Sequence, residues 1–589
     1  MGSPTFQKTK PVSSVDRLQV YRVWGATIAV ITVVVFSSIF ITSDLSPLGI
    51  INGTSPQEQI DLIAKQQVSE SIAPRNDAVV QAFVAELQQA TAHATGKDSE
   101  GNWFQQSQWN RDYSCLSRTE LPQKYSRRNY VRDSAPNPQW RAVLREYAKL
   151  HRTCMRKVGN VTAYFMSRNT SIDCQFTVVD TDEIGIGNRF LVIASAVLYS
   201  ILTKRVVLLA GNEDFIPEGL LCEPFEGSSW RGFDVNRIVT PYRGGENPFW
   251  NNSGSFHSRI DEAVKDEKPF DDYAVANIDA QSWVGQPQSR FYCDVEQENY
   301  KNVTFMYLTG MLYFLPKLFT VPSFRPVLEA LFPDRMALTS ILREVMLPAD
   351  EVWTRVQRME QTYLEGRVDR RLGVQLRYRG GWGEYNGKFR TIAGRVLQCA
   401  LDNNILPLMV NNTERGNDEP ALAMRMITVF VASLYEGVKN NLTETFLRHP
   451  TATGDAVKVV QLSSEGDQKF GKLVYQSALA EVLTLSFSDH LFVTPKSTFS
   501  GLAQAYGGVV PWFIDWRDNV TESGPCTRAQ TVDVCFQAPF DYNIKCPYDH
   551  ERHDKNISEV YPDVQPCLAV DTGGLQLITK NDMSMELLG

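Results

Sequence analysis

The chain has 589 residues, 43% hydrophobic and 21% charged, which is typical of a globular protein and too long for a single hydrophobic core. Its formal net charge of −8 offers no basic surface for nucleic acid, so we expect no nucleic-acid partner.

An uncharged stretch near the N-terminus predicts a membrane anchor. Residues 23–43, VWGATIAVITVVVFSSIFITS, include 21 consecutive residues without a charge, and at about 1.5 Å per residue they span about 31 Å, one hydrocarbon core. A cleaved signal peptide is the alternative, but its apolar region is shorter, about 7–15 residues. Four basic residues precede the stretch and an aspartate follows it. This asymmetry predicts a cytosolic tail, residues 1–22, and a type II protein whose bulk is lumenal.

Cysteines and glycosylation sequons support the lumenal prediction. All ten cysteines lie beyond the anchor, and an even number in an oxidising compartment favours disulfides without fixing their pairing. No pair forms CxxC, so zinc ligation has little support. Nine N-x-S/T sequons also follow the anchor, at Asn52, Asn160, Asn169, Asn251, Asn302, Asn411, Asn441, Asn519 and Asn556.

Residues 44–102 are predicted to be a stem. This segment is polar and rich in Gln, Ala and Ser, with weak helical periodicity, and a plain surface helix is the alternative. The globular part is then divided into an N-terminal domain, residues 103–350, and a C-terminal domain with a cysteine-rich tail, residues 351–589.

The N-terminal domain contains a β-loop-α-β pattern. QFTVVD (Gln175–Asp180) reads as a buried strand, RFLVIASAVLYSILT (189–203) as a helix, and RVVLLA (205–210) as a second strand. From about residue 211 to residue 350 the sequence is aromatic-rich and predicted to be irregular.

The C-terminal domain alternates strand and helix patterns. The strand-like stretches are LGVQLRY (372–378), MITVFVAS (426–433), AVKVVQL (456–462), HLFVTP (490–495) and VVPWFI (509–514). A helix is predicted over 471–489. This alternation favours a parallel, doubly wound sheet. Two such Rossmann-like domains would face a cleft at the carboxyl ends of their strands, where open sheets bind ligands.

Two loops that follow predicted strands carry candidate binding residues. Gly187 permits close backbone approach, and Asn188 and Arg189 supply donors to a hydroxyl-rich or anionic ligand. The alternative for this loop is a tight turn. Arg377 leaves a buried strand where it can clamp a phosphate, and its alternative is an ion pair across the sheet edge.

A third loop, TPKSTFSGLAQAYG (494–507), opens a helix. Ser497 or Thr498 can cap this helix, and N–H groups with hydroxyls at a helix N-terminus make an anion site. Ordinary capping without a ligand is the alternative. Because this loop and Arg377 should converge on one edge, we expect them to bind a diphosphate.

Metal and hydrolase chemistry have weak signals. Asp180 and Asp182 form a DxD pattern, which holds divalent cations in many nucleotide-sugar enzymes, but here it precedes the glycine loop, and we expect no metal and no cofactor. The sequence has no G-x-S-x-G, Walker or HExxH motif, so a hydrolase lacks its nucleophile.

Several collinear blocks resemble the plant xyloglucan-type α-1,2-fucosyltransferases, glycosyltransferase family 37. IGIGNRFLVIASAVLYSILTKRVVLL (184–209) resembles the family's GLGNR…LAS…LYALLT.RVLLV, and LLCEPFEGSSW (220–230) resembles LFCEPF..SSW. LGVQLR (372–377) resembles IGIQIR, and residues 478–512 resemble the family's block ending in WSTFGYVAQGLGGL.PW. The likeness covers about residues 113 to 575.

The resemblance implies a GT-B-like α/β fold and inverting, metal-independent transfer of fucose from GDP-fucose to a galactose hydroxyl. It implies that Arg377 neutralises the β-phosphate leaving group. It also implies that residues 103–350 form the acceptor-side domain and residues 351–589 the GDP-sugar-binding domain. Substrate-binding residues are implied in both domains: Gly187, Asn188, Arg189, Ser497, Thr498 and Phe499.

One departure concerns the acceptor side. The family aspartate that is a candidate to orient or deprotonate the acceptor falls on Met311, which cannot act as a base. Asp294 is an alternative carboxylate.

We therefore expect a Golgi fucosyltransferase with GDP-fucose, a galactose-ended glycan and the Golgi membrane as partners. A homodimer, or a complex with other glycosyltransferases, stays open. The alternatives are a catalytically impaired relative that binds glycan or a partner enzyme, and a glycosyltransferase with a different donor or acceptor.

Overall fold

A computed structural model describes the greater part of the chain after residue 55. The described residues are 56–95, 114–126, 137–167, 172–180, 185–210, 219–232, 260–267, 273–279, 287–310, 312–364, 368–377, 388–410, 425–462, 471–514, 524–535, 542–567 and 574–579. The predicted tail 1–22 and anchor 23–43 lie outside them. Among the helices within these ranges, none is both long and apolar enough to cross a membrane.

Within the described ranges, four helices precede the first strand: α1 (Pro56–Thr95), α2 (Leu116–Ser126), α3 (Pro138–Val158) and α4 (Val161–Ser167). Near its C-terminal end, α1 buries Val80, Phe83 and Leu87, which are spaced as one helical face. Glu86, also on α1, forms an ion pair with Lys204. Residues 76–95 of the predicted stem are therefore a packed surface helix, the alternative that the sequence left open.

Helix α3 holds a buried histidine. The Nε2 atom of His151 lies 3.0 Å from the carbonyl oxygen of Val207 and therefore donates to it, which leaves Nδ1 to accept from the Ser228 hydroxyl at 2.7 Å. Burial lowers the pKa of His151 to about 4. The neutral imidazole thus ties α3 to the sheet beside it.

The N-terminal sheet has four parallel strands in the order β2-β1-β4-β3. Its elements are β1 (Phe176–Asp180), α5 (Ile186–Leu202), β2 (Val206–Leu209), β3 (Tyr273–Asp279), α6 (Asp294–Tyr300) and β4 (Val303–Thr309). The predicted β-loop-α-β unit is confirmed. The expectation of irregular structure between residues 211 and 350 is wrong for β3, β4 and the helices around them.

Helices connect the two sheets and surround the second one. The connecting helices are α7 (Leu315–Leu318), α8 (Arg325–Leu331), α9 (Ala337–Glu344) and α10 (Asp350–Met359), and a π-helical turn follows (Glu360–Leu364). The second sheet and its helices are β5 (Val368–Leu376), α11 (Phe389–Asp402), β6 (Met426–Ser433), α12 (Gly437–Arg448), β7 (Ala456–Gln461), α13 (Lys472–Ser486), β8 (His490–Val493), α14 (Thr498–Gly507), β9 (Trp512–Phe513) and β10 (Thr527–Arg528). The tail contributes α15 (Ile557–Val560), β11 (Val564–Pro566) and β12 (Leu575–Leu577).

The second sheet has the order β10-β9-β8-β5-β6-β7, and its strands are parallel except for the pair β9 and β10. The predicted strands and the helix at α13 are confirmed, with ends shifted by a few residues. The strands read as near-continuous apolar runs because both faces of a parallel sheet are covered. On one face, α11 and α12 enclose a separate apolar cluster.

On the other face, α13 and α14 share one apolar core with the N-terminal sheet. Leu479, Leu483 and Leu502, all fully buried, belong to this core, as do Val178 and Leu198 of the first sheet unit. The contact between the two sheet units is therefore a packed apolar interface.

Disulfides account for all ten cysteines, as the even count predicted. The pairs are Cys115–Cys222, Cys154–Cys174, Cys293–Cys546, Cys399–Cys526 and Cys535–Cys567. The third of these joins the first sheet unit to the C-terminal tail. The fourth joins α11 of the second sheet unit to Cys526, so disulfides link the C-terminal segment to both units.

Candidate functional site

The crevice between β5 and β8 is the first feature of the site. The chain leaves β5 toward β6 and leaves β8 toward β9, in opposite directions, and such a switch point in a parallel sheet is where ligands bind. Arg377 directly follows β5, and its N–H donates to the Thr494 hydroxyl at 3.0 Å. Thr494 in turn donates its N–H to the carbonyl oxygen of Gln375 at 3.0 Å. The Arg377 loop and the loop that carries Ser497 therefore meet at one edge.

The glycine loop of the other sheet unit touches this edge directly. A Cβ atom on Gly187 would lie 2.6 Å from Thr498 Oγ1, 2.8 Å from the Thr498 carbonyl carbon and 2.9 Å from the backbone nitrogen of Phe499. Two of these atoms are backbone, so a side chain at this position would force the two helix tips apart. Gly187 is needed for close approach of α5 and α14.

Asn188 and Arg189 also contact the C-terminal unit. The Thr498 hydroxyl donates to Oδ1 of Asn188 at 2.6 Å. The guanidinium carbon of Arg189 lies 5.4 Å from the centre of the Tyr475 ring, and Arg189 is only 5% exposed. A cation over an aromatic face is stabilised electrostatically. This contact helps to offset the unfavourable interaction of the Arg189 charge with the helix dipole in the first turn of α5. These contacts hold the two units together at the cleft.

Ser497 has an unusual position for a helix-capping residue. It occupies the N-cap of α14 with φ −96° and ψ 112°, yet its side chain forms no capping hydrogen bond. Its Oγ atom is buried and has no hydrogen-bond partner among the described residues. The ordinary capping alternative is therefore wrong for Ser497, and Thr498 is engaged with Asn188 instead.

The surroundings of Ser497 suit an anion. The first N–H groups of a helix lack intrahelical acceptors and carry the positive end of its dipole. Lys496, before the N-cap, has φ +64°, a left-handed conformation that costs a non-glycine residue about 1 kcal/mol. Arg377 is half-buried at the same edge, and Phe499 is packed against the apolar core. The backbone of Arg377, the hydroxyl of Ser497 and the N-terminus of α14 thus lie at the same edge of the second sheet.

Strands β1 and β4 end side by side at the carboxyl edge of the N-terminal sheet. The carboxylate of Asp180 accepts from the Tyr307 hydroxyl, and the N–H of Gly310 donates to the Asp180 carbonyl oxygen at 3.3 Å. Asp182 and Met311 lie outside the described residues. Asp180 therefore bonds to β4 and to the residue that follows it.

Asp294 does not join this group of contacts. Its carboxylate accepts from the N–H of Ser323 at 3.1 Å, a contact within the N-terminal sheet unit, and its neighbour Cys293 is bound to the tail. Within the part of the chain that the structure describes, no three His, Cys, Asp or Glu side chains gather as a metal site.

Three residues at the site were missed in the reading of the sequence. Thr494 and Tyr475 could have been found from their places after predicted strands. Thr494 directly follows β8, and Tyr475 lies in the first turn of α13, the helix that follows β7. Asp533 gave no signal, because it lies in the cysteine-rich tail far from any strand pattern. Asp533 accepts from the Tyr313 hydroxyl at 2.7 Å, and burial raises its pKa to about 7.

Comparisons with known proteins agree with one another. The family model for xyloglucan fucosyltransferase matches residues 107–545. Fucosyltransferase 2 of Arabidopsis thaliana is 29% identical over 478 residues, which cover 79% of this chain and 84% of that protein. A galactoside 2-alpha-L-fucosyltransferase of Pisum sativum is 31% identical over 454 residues, covering 74% and 75% of the two chains. The solved structure of an Arabidopsis thaliana FUT1 mutant in complex with GDP superposes with a TM-score of 0.64 at 27% identity, over 82% of this chain and 99% of that one.

Proposed function

Since the chain belongs to the xyloglucan fucosyltransferase family and is therefore a glycosyltransferase, we propose that it transfers fucose from GDP-fucose, with inversion, to a galactose residue of a cell-wall polysaccharide or an arabinogalactan glycan. In this reaction an acceptor hydroxyl oxygen forms a bond to C1 of fucose, and the bond from C1 to the β-phosphate oxygen breaks. The hydroxyl releases its proton, and negative charge grows on the departing GDP.

The observation that carries this proposal is the buried hydroxyl of Ser497. A buried polar group without a partner costs about 1–3 kcal/mol. The presence of such a hydroxyl at the N-terminus of α14 therefore favours a ligand that forms a hydrogen bond with it. A diphosphate fits, because its oxygens accept from the hydroxyl and from the first N–H groups of the helix. The GDP complex of the structural relative supports the same class of ligand.

Arg377 supplies the electrostatic part of the proposal. Its position at the end of β5, bonded through its backbone to Thr494, directs it to the edge where the diphosphate would lie. A fixed guanidinium stabilises charge that develops on the β-phosphate in the transition state more than it stabilises the bound donor. The role of Arg377 is therefore to assist departure of GDP.

The first turn of α5 closes the cleft. Gly187 and Asn188 contact Thr498, so the acceptor-side unit reaches the helix tip that would hold the donor. Donor and acceptor meet in such a cleft without solvent between them, which strengthens every electrostatic contact there.

The proposal includes a Golgi membrane location with the catalytic part in the lumen. The uncharged stretch 23–43 supports an anchor. The five disulfides support an oxidising compartment.

The test is transfer of labelled fucose by the full-length chain in detergent. GDP-fucose is supplied with galactose-ended xyloglucan and arabinogalactan oligosaccharides, with and without EDTA, and we expect transfer to at least one acceptor at a rate that EDTA leaves unchanged. Loss of transfer with EDTA would contradict metal independence. Binding of GDP with no transfer to any acceptor would favour the impaired relative that Met311 suggests, and stronger competition by UDP than by GDP would favour a different donor.

A further inference from the structure

The segment around Asp533 crosses from the C-terminal tail to both sheet units. Asp533 is 6% exposed, and its Oδ1 accepts from the hydroxyl of Tyr313, which is 2% exposed, at 2.7 Å. Its Oδ2 accepts from the N–H of Leu577 in β12 at 2.9 Å. One carboxyl group therefore joins the acceptor-side unit to the tail.

The same segment is held against α14. The Nε2 atom of Gln504 donates to the carbonyl oxygens of Val532 and Asp533, at 2.8 and 2.9 Å. A Cβ atom on Gly501 would lie 2.9 Å from Cγ1 of Val534, so helix and segment are in close contact. These contacts use the backbone carbonyls of the segment and the side chain of Val534, and they do not depend on the Asp533 side chain.

Asp533 also lies next to the candidate diphosphate site. It lines a small cavity of about 30 Å³ together with Lys496, Ser497 and Gln576. The Cys535–Cys567 disulfide forms another part of the cavity wall. Asp533 and the N-cap residue of α14 thus border the same cavity.

Tyr313 lies on the loop that follows β4, four residues after Thr309. This loop leaves the N-terminal sheet at its carboxyl edge, beside the loop of Gly187, and the N–H of Phe314 donates to the Ser195 hydroxyl of α5 at 3.3 Å. The loop is therefore held against α5, the helix whose first turn contacts the tip of α14. The second contact that holds this loop is the hydrogen bond from the Tyr313 hydroxyl to Asp533.

We propose that Asp533 is a positioning residue that sets the distance between the loop after β4 and helix α14, and hence between the acceptor and the sugar donor. The inference rests on the proposed function, in which α14 holds the donor. Asp533 acts through Tyr313 and does not touch substrate. Loss of the contact should impair use of the acceptor while GDP binding, which depends on Arg377 and the tip of α14, is retained.

The test compares Tyr313→Phe, Asp533→Asn and the double variant in the full-length chain. The readouts are kcat and acceptor KM with a galactose-ended xyloglucan or arabinogalactan oligosaccharide, the Kd of GDP by calorimetry, and Tm. We expect Tyr313→Phe to lower acceptor kcat/KM by about 10-fold, because misplacement by about 1 Å can cost 10²-fold, and to leave the Kd of GDP within twofold. The double variant should match Asp533→Asn, since the Tyr313 hydroxyl acts through the Asp533 carboxyl.

Tyr199→Phe is the matched control. Tyr199 is fully buried, and its hydroxyl donates to the Gln297 side chain at 3.0 Å, within the N-terminal unit. It should lower Tm by a similar amount while acceptor kinetics stay at the wild-type value. Wild-type acceptor kinetics in Tyr313→Phe, or an equal loss of GDP binding and acceptor use, would overturn the positioning role. Neither result would contradict the proposed function. Absence of transfer by the wild-type chain would contradict the proposed function and the inference that rests on it.

Discussion

Replacement of Gly187 by alanine tests whether the cleft depends on contact between two helix tips. The added methyl would lie 2.6–2.9 Å from Thr498 and Phe499, where ordinary contact begins at about 3.4 Å. Since two of the three nearest atoms are backbone, the tips of α5 and α14 must separate by about 0.5–0.8 Å. Overpacking of this kind costs about 1–3 kcal/mol, which should leave the chain folded.

The expected effect on transfer is larger than the effect on stability. A displacement approaching 1 Å between bound reactants can lower the rate about 10²-fold, so Gly187→Ala should lose about 10- to 100-fold in kcat/KM. The assay is initial-rate transfer from GDP-fucose, with urea unfolding measured in parallel. Gly394→Ala is the matched control, because no atom lies within 4 Å of the position that a methyl group on this exposed glycine of α11 would take, and alanine there should stabilise the helix by about 0.5–1 kcal/mol. Wild-type kcat/KM in Gly187→Ala would refute the reasoning.

Three further predictions follow from particular residues. Arg377→Ala should lower kcat by about 10²–10³-fold, as loss of one fixed electrostatic group does, while Tm stays near wild type; wild-type rates would remove Arg377 from the site. A chain that begins at Trp103 loses the helix that buries Phe83 and Leu87, so it should have a lower Tm than one that begins at Ser71; equal Tm values would contradict the packing of α1. Because the pKa of folded His151 is about 4, below its unfolded value, its contribution to the free energy of unfolding is full above about pH 6.5 and is lost as pH falls toward 4. Between pH 7 and pH 5, urea unfolding should show a loss about 2 kcal/mol larger in wild type than in His151→Gln, and equal losses would mean that His151 is not buried as a neutral group.

The sequence predicted the second sheet well because each strand is a short apolar run bounded by polar residues. Arg377 and Ser497 follow such runs, so their presence at one sheet edge could be expected. The order of strands β8 and β5 then brings their loops together. The site in this unit is therefore largely a consequence of local pattern and parallel topology.

The contacts between the units could not be read in the same way. Gly187 touches Thr498, which lies about 310 positions further along the chain. Nothing in the run Gly185-Ile186-Gly187-Asn188 distinguishes a ligand-binding loop from an interdomain contact. Asp533 depends on the fold of a cysteine-rich tail that has no periodic pattern. Strand β4, VTFMYLT, does carry β-branched and aromatic residues, but it lies in an aromatic-rich region where that signal is weak.

Titration of GDP into the full-length chain by calorimetry tests the central claim most directly. The account predicts saturable heat with one GDP per chain, weaker binding of UDP, and weakened GDP binding in Arg377→Ala and Ser497→Ala. The Gly394→Ala chain should bind GDP as the wild type does. No heat with GDP, or unchanged affinity in both site variants, would contradict a diphosphate site formed by Arg377 and the N-terminus of α14.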